Sequence, residues 1–234
     1  MKSNKNLIIF IKKILSDDWA HGNKILFLSK IISFILIAYY NLSNGYVMSS
    51  DSNSYSDWAD KLIELNFNLF NYYSQNNFIN PNYLYTIPVL IIALTKLLFG
   101  AEWQSFFMYF NLSLVFFSIL IFSKSLILLN VRPLIISLTI SLILLSVDIL
   151  TWPRYMLTDM IFSFFIILLI YVMVKNIVEK KFNYVFLFFL IILIYITRPT
   201  SIPYIFAILT FVGLTKVKIK FSKSLVLISI LAII

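Results

Sequence analysis

The chain has 234 residues, 61% of them hydrophobic and only 12% charged. That is about half the charge of an ordinary soluble domain, so the composition is that of a membrane protein. With no cysteine and one histidine, His21, it excludes disulfides, a thiolate nucleophile and Cys- or His-built metal centres. The formal charge of +9 then reports topology and contact with membrane lipid rather than nucleic acid, for which no binding motif is present.

A bilayer-crossing helix needs about 20 mostly apolar residues at about 1.5 Å each. The segment 1–24 comes before any such run. Asn6 to Leu15 is interrupted by Lys12 and Lys13 and followed by Asp17, Asp18 and His21, so it reads as an interfacial helix rather than a cleaved signal peptide. Its lysines outnumber its acids, which assigns the N-terminus to the cytoplasm and sends the first span, Ile25 to Leu42, outward. The segment 41–104 then reads as an external loop. Asn41 to Tyr83 is rich in Asn, Ser and Tyr, and sets Asp51, Asp57, Asp60 and Glu64 against Lys61 alone. Within it, Tyr55 to Tyr73 spaces Trp58, Leu62, Leu65 and Leu69 as in an amphipathic helix lying at the membrane surface.

Leu84 to Phe99 decides the topology. Its sixteen residues reach only about 24 Å, with Pro88 near the start and Lys96 near the end. Kept as a second juxtamembrane helix, it leaves Lys124 with Arg132, Lys175 to Lys181, and Lys216 to Lys223 all in the cytoplasm. That arrangement is the expected one. Further spans are predicted at Ser105 to Phe122, Leu134 to Leu150, Met156 to Val174, Tyr184 to Thr197, Pro203 to Leu214 and from Leu225, the last cut off at Ile234 as in a fragment or truncated frame. The expected fold is a single all-α domain over 1–234, a polytopic transmembrane bundle in the cytoplasmic (inner) membrane.

Three charged places fall at outer helix ends. Asp51, Ser52 or Ser54 is a candidate cap for the amphipathic helix; alternatively Asp51 is a carboxylate at the membrane boundary, where partial burial would fit it to accept a proton. In Trp152 to Met160, Asp159 enters the first turn of an apolar helix, where the helix start favours an anion. An acid entering a membrane helix is also a functional suspect, with Arg154 its candidate ion-pair partner. Asp148 ranks below it. Thr197-Arg198-Pro199-Thr200 interrupts an apolar run, and Pro199 limits helix continuation through Arg198. Arg198 either snorkels to headgroups or uses its two-point geometry to bind an isoprenoid phosphate. Lys96 and Glu102 flank an expected turn at Gly100, and Asn41-Leu-Ser and Asn111-Leu-Ser match the glycosylation sequon by a pattern common by chance.

In order and character these segments resemble the GT-C superfamily of polytopic glycosyltransferases, which includes protein O-mannosyltransferases and the bacterial transferases that modify lipid A with aminoarabinose. The resemblance is carried by Asp51-Ser-Asn-Ser-Tyr55 through Ala59, by Asn80-Pro81-Asn82-Tyr83 leading to Phe99-Gly100, by Leu157-Thr158-Asp159-Met160 and by Arg198-Pro199. Many members carry a second acid directly after the first, where this chain has Ser52, so an acidic pair and a divalent cation held by it are in question. The resemblance implies inverting transfer of a sugar from a polyprenyl-phosphate donor to a glycan, lipid or protein acceptor on the outer face. It implies Asp51 as general base, Asp159 positioning the acceptor or a cation, Arg198 and Arg154 on the leaving phosphate, and Tyr55 beside the substrate.

Two other classes fit the composition. A polysaccharide polymerase would share the helices and lipid-phosphate substrate but carry a large late external loop. A transporter would place polar residues at mid-bilayer in two matching halves, whereas here they cluster at helix ends; a non-catalytic subunit would tolerate loss of Asp51, Asp159 and Arg198 together.

Overall fold

Away from water a backbone must satisfy its own hydrogen bonds, and a single apolar segment does so only as a helix. The computed structural model describes residues 23–74, 82–144, 146–180 and 183–203, and over them the protein is mostly helical with no strand. In chain order the helices are Lys24–Asn44 (α1), Ser50–Glu64 (α2), Leu69–Ser74 (α3), Thr86–Phe99 (α4), Trp103–Leu128 (α5), Pro133–Leu144 (α6), Val147–Thr151 (α7), Asp159–Glu179 (α8) and Tyr184–Tyr195 (α9). The expected interfacial helix at Asn6 to Leu15 and the spans after Pro203 lie outside the described residues.

Three stretches, α1, Thr86–Leu128 and α8, are long and apolar enough to cross a bilayer, and by length and composition this is a membrane protein. The face each helix hides supports that reading. On α1 the buried positions are Leu26, Lys30, Ser33, Ile37 and Asn41, while Ile25, Leu28, Ile32, Ile35 and Leu36 point outward. Polar groups inside and branched aliphatics outside invert the pattern of a water-soluble helix.

Two predicted spans are shorter than expected. Leu134 to Leu150 is not one helix: α6 ends at Leu144 after 12 residues, about 18 Å, and α7 starts afresh at Val147. Ser146 donates both its amide (3.2 Å) and its hydroxyl (2.8 Å) to the Ile143 carbonyl, a local bond pattern that competes with continued helix. Likewise α9 stops at Tyr195 and the chain turns at Ile196 and Thr197, because Arg198 is extended ahead of Pro199.

The amphipathic helix starts earlier than its apolar spacing suggests. Ser49 is the cap, accepting from the Ser52 amide at 3.2 Å, and α2 ends at Glu64 before Asn66 and Phe67 adopt positive φ. Its buried face is Ser52, Tyr55, Ala59 and Leu62, with Trp58 only half-buried. That face packs on α4, and α4 in turn packs on α5 across the Gly100 turn (φ +53). Val89, Ile92 and Ala93 of α4 share an apolar cluster with Tyr55, Leu62 and Phe107. A second cluster joins α1, α5, α6, α8 and α9 around Ile37, Val115, Ile119, Ile140, Ile166 and Leu190. The molecule is thus a helical body carrying a smaller helical cap.

Lys96 fastens the cap. Its ammonium contacts Asp60 (2.7 Å), the Ser56 hydroxyl (2.7 Å) and carbonyl (3.0 Å), and lies 5.1 Å from the Trp103 ring centroid. It is therefore part of the α2–α4 joint as well as a flank of the Gly100 turn.

Candidate functional site

Body and cap meet at the corner between α7 and α8, and that corner is held by polar side chains from two helices. Asn41 of α1 donates to the Leu150 carbonyl (2.8 Å), and Asn111 of α5 donates to the carbonyls of Pro153 (3.1 Å) and Tyr155 (3.2 Å). Val47 adds one parallel rung, its amide donating to the Arg154 carbonyl at 2.8 Å. A buried carbonyl left unpaired is worth about 1–3 kcal/mol, so these amides fix the corner rather than decorate it. Both asparagines are fully buried, so neither sequon is a glycan acceptor in the folded chain.

Arg154 belongs to the same clamp. Its Nε donates to the Gly45 carbonyl (2.9 Å) and its Nη2 to the Asn44 carbonyl (2.8 Å), placing a cation on the open C-terminal end of α1. The expected ion pair of Arg154 with Asp159 does not form: two of its guanidinium nitrogens are taken by backbone carbonyls, and Asp159 is bonded to Arg198 instead. The side chain of Asp148 lies outside what the structure describes.

The clamp delivers Thr158 and Asp159 to the start of α8, with Asp159 in the first turn. Asp159 Oδ1 is bonded to Nη1 of Arg198, which arrives on the extended corner after α9. Their side chains are 22% and 32% exposed, so the pair is partly wet. Arg198 is engaged within the protein and does not simply reach for headgroups.

Tyr55 links this pair to the cap. Its hydroxyl lies within electrostatic reach of Arg198 and of Asp51, one helical turn back on α2. Burial, then Tyr85 and the Asp51 carboxylate, push the Tyr55 hydroxyl well above the ordinary tyrosine range, with Arg198 and Thr158 offsetting only part. Tyr55 is therefore a neutral hydrogen-bonding group at physiological pH. Asp51 itself is exposed, so the partial burial expected of it is absent. The rings of Tyr55, Trp58 and Tyr85 meet at centroid separations of 5.3–5.7 Å beside it.

Behind the ion pair lies a cavity of about 600 Å³. Asp159, Arg198 and Thr200 stand at one end, and Val115, Ile119, Phe122, Ile140 and Ile166 line its interior. From Asp159 to Ile167 along α8 it follows the wall for about 12 Å. An apolar slot with a guanidinium at its end suits an amphiphile with an anionic head.

No family model, curated protein or solved structure matches this chain. The likeness to GT-C enzymes therefore rests on the motifs alone, and the site has to be read from its own chemistry. The structure joins Asp159 to Arg198 directly and places Tyr55 within electrostatic reach of both Arg198 and Asp51, while the guanidinium of Arg154 turns to the end of α1. Among the described residues, no three Asp, Glu or His side chains gather as a metal site. Sequence reasoning missed Thr158, Asn41, Asn111 and Lys96 as site-building residues. The signal available for Lys96 was a lysine inside an apolar helix; for Thr158, only its position before the acid.

Proposed function

We propose that the chain is a GT-C-like membrane glycosyltransferase that moves a sugar from a polyprenyl-phosphate donor to an acceptor at the outer face of the cytoplasmic membrane. The observation that carries this reading is the Arg198 guanidinium at the end of an apolar cavity of about 600 Å³. The isoprenoid tail enters the slot, and its phosphodiester meets the donors of Arg198 that Asp159 does not use. The acceptor arrives over the cap, beside Asp51 and the Tyr55, Trp58 and Tyr85 rings. Asp51 takes the proton of the acceptor hydroxyl as its oxygen bonds to the anomeric carbon. The bond from that carbon to the phosphate oxygen breaks on the opposite face, its electron pair leaves with the lipid phosphate, and the configuration inverts. Arg198 stabilises the charge that grows on the departing phosphate.

The methyl phosphodiester of farnesol, monoanionic like the donor, tests the donor assignment with a short soluble tail. At about 100 times its dissociation constant it should stabilise the purified full-length chain by about 2.7 kcal/mol, a rise of a few degrees in the detergent melting midpoint, while farnesol does much less. An equal shift with both compounds, or none with either, would remove the lipid-phosphate donor from the reading.

The outward orientation is the part of this reading that α2 and α4 support, as a cap folded on the end of α5 and carrying Asp57, Asp60 and Glu64. Because the chain has no cysteine, single substitutions report sidedness cleanly. Asp57→Cys should react with an impermeant maleimide on intact cells and Lys124→Cys only after lysis. The reverse pattern turns the site to the cytoplasm and excludes transfer at the outer face.

A non-catalytic subunit is the competing reading, and the Asp159–Arg198 pair is the observation in its favour, since an internally satisfied pair is also good architecture. The farnesyl phosphodiester separates the two: a purely architectural pair gives no phosphate-specific stabilisation.

A further inference from the structure

An arginine offered to a phosphate would bind it most tightly if no carboxylate stood beside it. Here Asp159 is bonded to the same guanidinium, at the same end of the same cavity. The two charges cancel, so a ligand phosphate meets the fork of Arg198 with a fixed negative neighbour. That neighbour repels in proportion to the ligand's charge. Resting on the donor reading above, we propose that Asp159 is a specificity-determining residue that disfavours the dianionic lipid-phosphate product relative to the monoanionic sugar phosphodiester donor, and so drives product release.

The chemistry separates the two ligands without reference to the sugar. A phosphodiester carries one negative charge; when the glycosidic transfer leaves a terminal monoester, its charge at neutral pH becomes about −1.5 to −2. At a separation of about 6 Å and an effective dielectric constant of about 20, repulsion of one additional charge amounts to roughly a hundredfold in affinity. Solvent and salt at a pair about a fifth to a third exposed reduce that to roughly tenfold. Asp159 therefore has a second effect besides orienting Arg198. Its carboxylate holds the fork in position through Nη1, and its charge sets which phosphate the fork retains. Asparagine separates these effects, because its amide oxygen can still accept from Arg198 while the charge is gone.

The experiment compares farnesyl phosphate with its methyl phosphodiester, two probes with one tail and different charge, on full-length wild type, Asp159→Asn and Asp159→Glu. Replacement by Asn should tighten the monoester by about tenfold more than the diester, whereas Glu, which keeps the charge, should preserve the wild-type ratio. An unchanged ratio in the Asn variant overturns the proposal. So does a Glu variant with the Asn ratio, because packing rather than charge would then set the preference. Binding to wild type that Arg198→Ala leaves intact would instead strike the donor assignment itself, and this inference with it.

Discussion

Replacing Arg198 by Ala is expected to reduce sugar transfer from a polyprenyl-phosphate donor by about 10²–10³-fold, the usual consequence of losing one positioned donor to a developing oxyanion. The loss should fall on donor binding more than on acceptor binding, seen as a larger rise in the donor's KM than in the acceptor's. The substitution does more than subtract a cation. It leaves Asp159 facing the cavity mouth without the guanidinium that balances it, so the vacated position becomes repulsive to phosphate. Removing that charge as well, in Arg198→Ala with Asp159→Asn, should therefore recover part of the binding that the single variant loses. Such non-additivity is the mark of groups acting as one unit. Arg198→Lys should fall between wild type and Ala, because an ammonium restores charge without the two-point fork. Wild-type transfer by Arg198→Ala would reject the phosphate role.

Hydropathy located the long helices because lipid-facing and core-facing positions are both apolar, so α1, α5 and α8 stand out whatever their packing. It joined α6 to α7 for the same reason: the interruption at Ser146 is made by two hydrogen bonds to one carbonyl, which an average over side-chain polarity does not register. The ion pair illustrates the limit of proximity in sequence. Arg154 stands five positions from Asp159, yet Asn111 and Val47 turn its backbone so that the guanidinium meets the end of α1. Arg198, far along the chain, is brought to Asp159 because α9 packs on α8 and the chain breaks at Pro199. Lys96 was legible as an anomaly in an apolar helix, but its partners Asp60 and Ser56 lie on another helix and follow only from how α2 and α4 pack. The two sequons, a pattern common by chance, gave no hint that their asparagines are the fully buried pins of the corner.

Asp51→Asn is expected to leave a folded, inserted protein that transfers sugar about 10²–10⁴-fold more slowly, the range for loss of a general base. The first half of that statement follows from the cap. Ser49, not Asp51, accepts the free amide at the start of α2, and Asp51 is exposed, so asparagine disturbs neither a buried contact nor the helix start. Its remaining structural contribution is a charge in the first helical turn, worth about 0.3–1 kcal/mol at an exposed site. An effect of that size shifts melting by a few degrees and cannot account for several orders of magnitude in rate. A large loss of transfer with a melting midpoint shifted by no more than a few degrees would therefore isolate proton transfer. Tyr55→Phe provides the comparison: it keeps the ring in its aromatic cluster, removes only the hydroxyl, and should slow transfer far less than Asp51→Asn. Normal turnover by Asp51→Asn would remove that carboxylate from the mechanism. The acceptor's proton would then have to leave by another group at the Asp159–Arg198 end of the cavity.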